Sequence, residues 1–95
     1  MMLETLFLLL CGHALADFGL QTEWMSFNKG RSWVLFHHCM IHGLMVYLAT
    51  GHISLAILEV VCHWFIDSFK MVKRISFDAD QWSHIVCKIV WSVLA

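Results

Sequence analysis

The sequence contains no proline, five glycines and a single tyrosine. Without proline, no helix interior loses a backbone N–H or meets a ring clash, and scarce glycine removes the other common helix breaker. Long, uninterrupted helices are therefore favoured. Charge is also scarce. Asp, Glu, Lys and Arg make up 14% of the chain, where an average soluble domain has roughly 25%. Six basic and seven acidic residues leave a net charge of −1 with His neutral. With no basic excess and no basic aromatic patch, nucleic acid is excluded as a partner. The four cysteines, Cys11, Cys39, Cys62 and Cys87, form no C-x-x-C pair, which argues against a zinc knuckle or a redox dithiol. One falls in each apolar segment, where a free Cys behaves as a small buried hydrophobe. Thiolate ligation is the second reading.

Apolar residues and histidine fill the space. Hydrophobic residues make up 60% of the 95 and the mean hydropathy is +0.72. A chain of this length forms one domain, and its high surface-to-volume ratio would demand more polar surface in water. Embedding in a membrane resolves the excess. Four apolar segments are expected, over about residues 2–20, 33–50, 53–69 and 81–95, each to be judged against the roughly 30 Å of bilayer hydrocarbon that a helix must span at about 1.5 Å per residue. The fourth is short and would tilt, reach partway or continue past the chain end. Residues 1–16 have an apolar centre but no basic leader, and His13 and Asp17 interrupt its end, so a first transmembrane helix is preferred to a cleaved signal.

The predicted architecture is all-α: a small polytopic membrane protein, a four-helix transmembrane bundle forming one transmembrane domain over residues 1–95. The competing arrangement is a soluble helical bundle around a buried His cluster. Lys29 and Arg31 follow segment one, and Lys70, Lys73 and Arg74 follow segment three, while the Thr50-Gly51-His52 turn has no Lys or Arg. The positive-inside rule then places both basic loops in the cytoplasm and both termini outside, in a bacterial inner membrane. Trp24, Trp33, Trp82 and Trp91 suit interfacial or lipid-facing positions.

Ionisable residues inside the apolar segments carry the functional signal. In the third segment Glu59, His63 and Asp67 stand four apart. On a helix, residues at that spacing are offset by only about 40°, so they form one stripe. The other segments carry His13 and Asp17, His38 and His42, and Asp80 and His84. With the orientation above, all four pairs fall at a similar depth, towards the cytoplasmic leaflet. An unpaired charge buried there costs several kcal/mol, so the stripes must face one another. His37 adjoins His38 and points about 100° away, and His52 lies in a turn, so both are peripheral.

Neutral imidazole and carboxylate are the ligands of zinc and similar divalent ions. His38 and His42 have the spacing by which one helix offers two ligands to one ion. In each His-x3-Asp pair the Asp can be a ligand or can orient its His. The candidate metal ligands are His13, Asp17, His38, His42, His63, Asp67, Asp80 and His84, enough for one ion, or for two with bridging carboxylates. Zinc is the first candidate cofactor. One His-x3-Asp pair alone is an ordinary structural device; the whole set is the stronger argument, because ionisable residues inside a membrane mark function by default.

The run from His13 through Asp17, Phe18, Leu20, Gln21, Thr22 and Met25, followed by Asn28 and Lys29, resembles the opening signature of a bacterial and phage membrane-protein family, domain-of-unknown-function family 3307. His42-Gly43, His63-x3-Asp67 and Asp80-Gln81-x2-His84 match the family's later positions, so the resemblance covers nearly the whole chain. It implies a membrane location and a shared polar set, but no reaction. Three functions follow from the residues. The first is a metal-dependent hydrolase acting on a lipid or amphipathic substrate, with Asp17, Glu59 and Asp67 as candidate catalytic carboxylates. The second is a non-enzymatic phage or bacterial interaction protein, such as a superinfection-exclusion factor, with a structural metal or polar core. The third is a proton or metal-ion conduit. The implied partners are the lipid bilayer, such a substrate, and further copies of the chain in a homo-oligomer.

Overall fold

A computed structural model describes residues 2–71 and 75–95. The basic pair Lys73 and Arg74, expected to help set topology, lies outside the described residues. The elements are α1 (Met2–Ala14), a π-helical turn (Leu15–Gly19), α2 (Glu23–Asn28), α3 (Ser32–Thr50), α4 (Ile53–Met71) and α5 (Phe77–Leu94), with no strand among the described residues.

Three boundaries depart from expectation. Segment one does not continue as an α-helix. Its backbone widens into the π turn, closed by the Leu20 N–H donating to the Leu15 carbonyl at 2.7 Å. The Gln21 side chain donates to the Asp17 carbonyl at 3.1 Å, capping the widened end. The loop that follows contains a helix, α2, because the Thr22 hydroxyl accepts from the Met25 N–H and Glu23 sits in its first turn, both favourable at a helix N-terminus. Segment four starts earlier than expected. Ser76 caps it through the Ala79 N–H, with Asp78 and Asp80 in the first turn, so α5 is 18 residues long and comparable to α3 and α4.

The four long helices form a closed ring in which α1 contacts α3 and α5, and α4 contacts the same two. The bundle measures 37 × 21 × 21 Å. Gly51, at φ 74°, gives α3 a left-handed end and permits the tight reversal into α4. At Gly43 a Cβ would lie 2.6 Å from Val60 Cγ2 and 3.2 Å from the Ala56 carbonyl oxygen, so only glycine lets α3 and α4 approach this closely.

The interior has two halves. At the end of the α3–α4 turn, Leu9, Val46, Leu55 and Trp91 form an apolar core, with Cys62 and Cys87 packed against it. At the other end most buried side chains are polar, His13, Asp17, Lys29, His38, His42, His63, Asp67, Asp80 and His84, with Ala16, Val34, Leu35 and Cys39 beside them. Large apolar side chains such as Phe7, Leu44, Leu48, Ile57, Phe65, Ile89 and Val93 point outward. Two helical stretches, Met2–Gly19 and Ser32–Thr50, are long and apolar enough to cross a membrane. Trp91, expected at a lipid-facing position, is buried instead, 5% exposed, because its indole N–H donates to Glu59 inside the bundle.

Candidate metal centre

Each long helix presents its ionisable pair to the bundle axis. The polar stripes occupy the last turns of α1 and its π turn, the first half of α3, the second half of α4 and the first half of α5. Because consecutive long helices run antiparallel, these halves meet at one end. Asp17 lies within the π turn, a backbone feature that often re-aims side chains at functional sites.

Five imidazoles and three carboxylates converge there. His38 Nε2 lies 3.2 Å and His42 Nε2 3.1 Å from Asp17 Oδ1. His38 Nε2 is also 3.3 Å from His63 Nε2 and 3.5 Å from Asp67 Oδ2. His63 Nε2 is 3.5 Å from the same Asp67 oxygen. On the far side, His84 Nε2 is 3.3 Å from both Asp67 Oδ1 and Asp80 Oδ1. The rings of His42 and His63 stack with centroids 3.7 Å apart, and those of His63 and His84 at 4.0 Å. Among the described residues, Asp17, His38, His42 and His63 have donor atoms close enough to share one ion, as do Asp67, Asp80 and His84, and Glu59, His63 and His84.

Hydrogen bonding alone does not account for this geometry. A ring nitrogen has one hydrogen or one lone pair in its plane, never both. His38 Nε2 nevertheless faces an Asp17 oxygen, an Asp67 oxygen and a second imidazole nitrogen within 3.5 Å. Ligands around a tetrahedral divalent ion, with bonds of about 2.0–2.1 Å, stand about 3.3 Å from one another, which is the spacing seen here. The donor set of imidazoles and carboxylates has the right chemistry for such an ion. Outer support is uneven. The Nδ1 atoms of His13, His38, His42, His63 and His84 have no hydrogen-bond partner among the described residues, and only that of His63 has a carboxylate beside it, Glu59 Oε1 at 3.4 Å.

All eight expected ligands lie in this cluster, but in different roles. His13 sits beside the ligand groups, with Nε2 3.1 Å from Gln81 Oε1 and 3.8 Å from Asp17 Oδ2. Glu59 lies one turn deeper. Lys88 donates to its Oε1 at 2.6 Å and Trp91 to its Oε2 at 2.7 Å, so both of its oxygens are engaged. His37 and His52 are exposed, as the spacing indicated. The cysteines stay out of the ligand groups among the described residues.

Four participants had no role at the site assigned from the sequence: Lys29, Lys70, Gln81 and Lys88. Lys29, read as a topology marker at a turn, is 6% exposed and donates to Asp67 Oδ2 at 3.1 Å. Lys70, read as part of the second basic loop, is 3.9 Å from Asp80 and lies over the Phe77 ring. Gln81 donates to Asp17 Oδ2 at 2.9 Å and Asp80 Oδ2 at 3.1 Å, tying α5 to the π turn. For Lys88 a signal did exist, since Asp80, His84 and Lys88 continue one stripe at four-residue spacing. Lys29 was marked only by its place after the family signature, which gave it no role.

In comparison with known proteins, residues 5–95 match the family model for a protein of unknown function, DUF3307. No curated protein and no solved structure matches the chain.

Proposed function

The chain belongs to the DUF3307 family of proteins of unknown function, and for it we propose a membrane-embedded divalent-metal site that serves a metal-dependent hydrolase acting on a lipid or amphipathic substrate. The observation that carries the metal site is the environment of His38 Nε2, which faces three polar atoms that a single nitrogen cannot satisfy by hydrogen bonds. Asp17, His38, His42 and His63 would hold the ion, and zinc suits their nitrogen-rich donor set. A divalent ion there supplies Lewis acidity and lowers the pKa of water.

The chain's own residues supply the rest. Asp17 is the most exposed of the site's carboxylates, at 8%, and takes the proton from water at Oδ2, the oxygen that Gln81 holds. Lys29 fixes Asp67. Glu59, with both oxygens occupied, acts as a positioning residue that orients His63.

Membrane embedding is supported by the inverted distribution of side chains, polar inside and apolar outside. The charges that lower the hydropathy of α4 and α5, Glu59, Asp67, Asp80 and Lys88, are buried in the bundle and would not meet lipid, so all four long helices span. The basic ends then face the cytoplasm of a bacterial inner membrane.

One observation favours the non-enzymatic reading, a structural metal core. The grooves between α3 and α4, and between α1 and α3, are apolar and contain none of the ligand residues. Metal analysis of detergent-purified protein, with His42→Ala and His63→Ala alongside, tests the site. At least one zinc, manganese or iron ion per chain is expected, lost in both variants while circular dichroism stays helical. Wild-type protein without metal after reconstitution would overturn the metal site. A lipid-hydrolase screen then separates the two readings: turnover by metal-loaded wild-type protein, lost together with the metal in His42→Ala and His63→Ala, supports the enzyme, and metal-loaded wild-type protein without turnover supports the structural core.

A further inference from the structure

We propose that the site holds two divalent cations, bridged by the Asp67 carboxylate. The inference rests on the metal-site reading above and deepens it. Of the three donor groups, the one with Glu59 shares His63 and His84 with the others and its carboxylate is held by Lys88 and Trp91, which leaves two. Asp17 Oδ1, His38 Nε2, His42 Nε2 and His63 Nε2 form one, to which a bridging Asp67 oxygen would add a fifth ligand. Asp67, Asp80 and His84 form the other, from the second half of α4 and the first half of α5.

Asp67 belongs to the second group and also faces the first. Its Oδ2 is 3.5 Å from His38 Nε2 and from His63 Nε2, and its Oδ1 is 3.3 Å from His84 Nε2. One oxygen therefore faces each group, as a carboxylate bridging two ions requires. Lys29 donates to Oδ2, and Oδ1 is shared with His84 alone.

Asp80 is the independent observation. The residue is 0% exposed. Its Oδ2 accepts from Gln81, whereas its Oδ1 accepts no hydrogen bond among the described residues, although it lies 3.3 Å from His84 Nε2. A buried carboxylate oxygen without a donor is costly, and it points at the place where His84 and Asp67 Oδ1 also converge. Two divalent ions exceed the charge of Asp17, Asp67 and Asp80, and Lys29 and Lys70 add to the surplus, which an anionic group of the substrate would offset.

Chelator-stripped wild-type protein in detergent, titrated with manganese(II), tests the inference by bound-metal stoichiometry and low-temperature electron paramagnetic resonance. Two ions per chain with a spin-coupled signal are expected, falling to one ion with an uncoupled signal in Asp80→Asn and in His84→Gln. One ion per chain in wild type would overturn the second position while leaving the metal site standing. None would overturn both. Two ions with no coupling would overturn the Asp67 bridge. The wild-type measurement decides even if a variant fails to fold.

Discussion

At the residue scale the least replaceable pair is Glu59 and Lys88. Both are 1% exposed and 2.6 Å apart, and neither has water to fall back on. Removing one partner of a buried ion pair leaves the other uncompensated, which costs about 3–5 kcal/mol, whereas replacing both by uncharged side chains is often nearly neutral. Lys88→Met should therefore destabilise the protein by about that amount, and Lys88→Met combined with Glu59→Gln should recover most of it. Denaturation in detergent measures these alongside Glu59→Gln alone, and a double variant destabilised by the sum of the two single variants would show that the pair is not coupled. Glu59 was legible as one member of a helical stripe. Its partner was not chosen by that stripe, because the Lys that reaches it lies on another helix.

At the element scale the contact that matters most is the crossing of α3 and α4. His42 stands next to Gly43, and His63 faces it from α4, so the spacing of the two helices sets the spacing of their ligands. A side chain at Gly43 must displace Val60 and the backbone at Ala56. Overpacking of this kind costs typically about 1–3 kcal/mol. Gly43→Val is expected to lower thermal stability by such an amount and to weaken metal binding together with it, read by unfolding and by a metal titration on the same preparation. A variant of unchanged stability with full metal content would mean that the crossing tolerates a wider separation. The π turn at Leu15–Gly19 is the other element that positions the site. Its sequence is compatible with a plain helix, and only the pull of Asp17 towards His38, His42 and Gln81 distinguishes it.

At the scale of the whole molecule the polar site lies at one end of the bundle, near Lys29 and Lys70, and the α3–α4 turn lies at the other. If the positive-inside rule holds, the first end faces the cytoplasm. In a cysteine-free background, His52→Cys should react with a membrane-impermeant maleimide in intact bacterial cells, and Arg31→Cys only after permeabilisation. The opposite pattern would invert the orientation, and labelling of both from outside would rule out the membrane-spanning arrangement. Trp91 shows where reasoning from composition falls short at this scale. An aromatic near a helix end suits a membrane interface, but the indole N–H finds a buried carboxylate and the ring closes the apolar half of the core.

The sequence by itself determined the helical class, the polar pairs and their common depth, because periodicity and the rarity of charge in apolar runs act locally along each helix. It also carried the family resemblance that the match over residues 5–95 bears out. The tertiary structure decided which atoms meet. Asp17 is held jointly by His38, His42 and Gln81, Asp67 faces both ligand groups and is held by Lys29, and Glu59 is withdrawn from the centre by Lys88 and Trp91. Those pairings depend on how four helices are rotated and spaced against one another, a property of packing between segments that no single segment encodes.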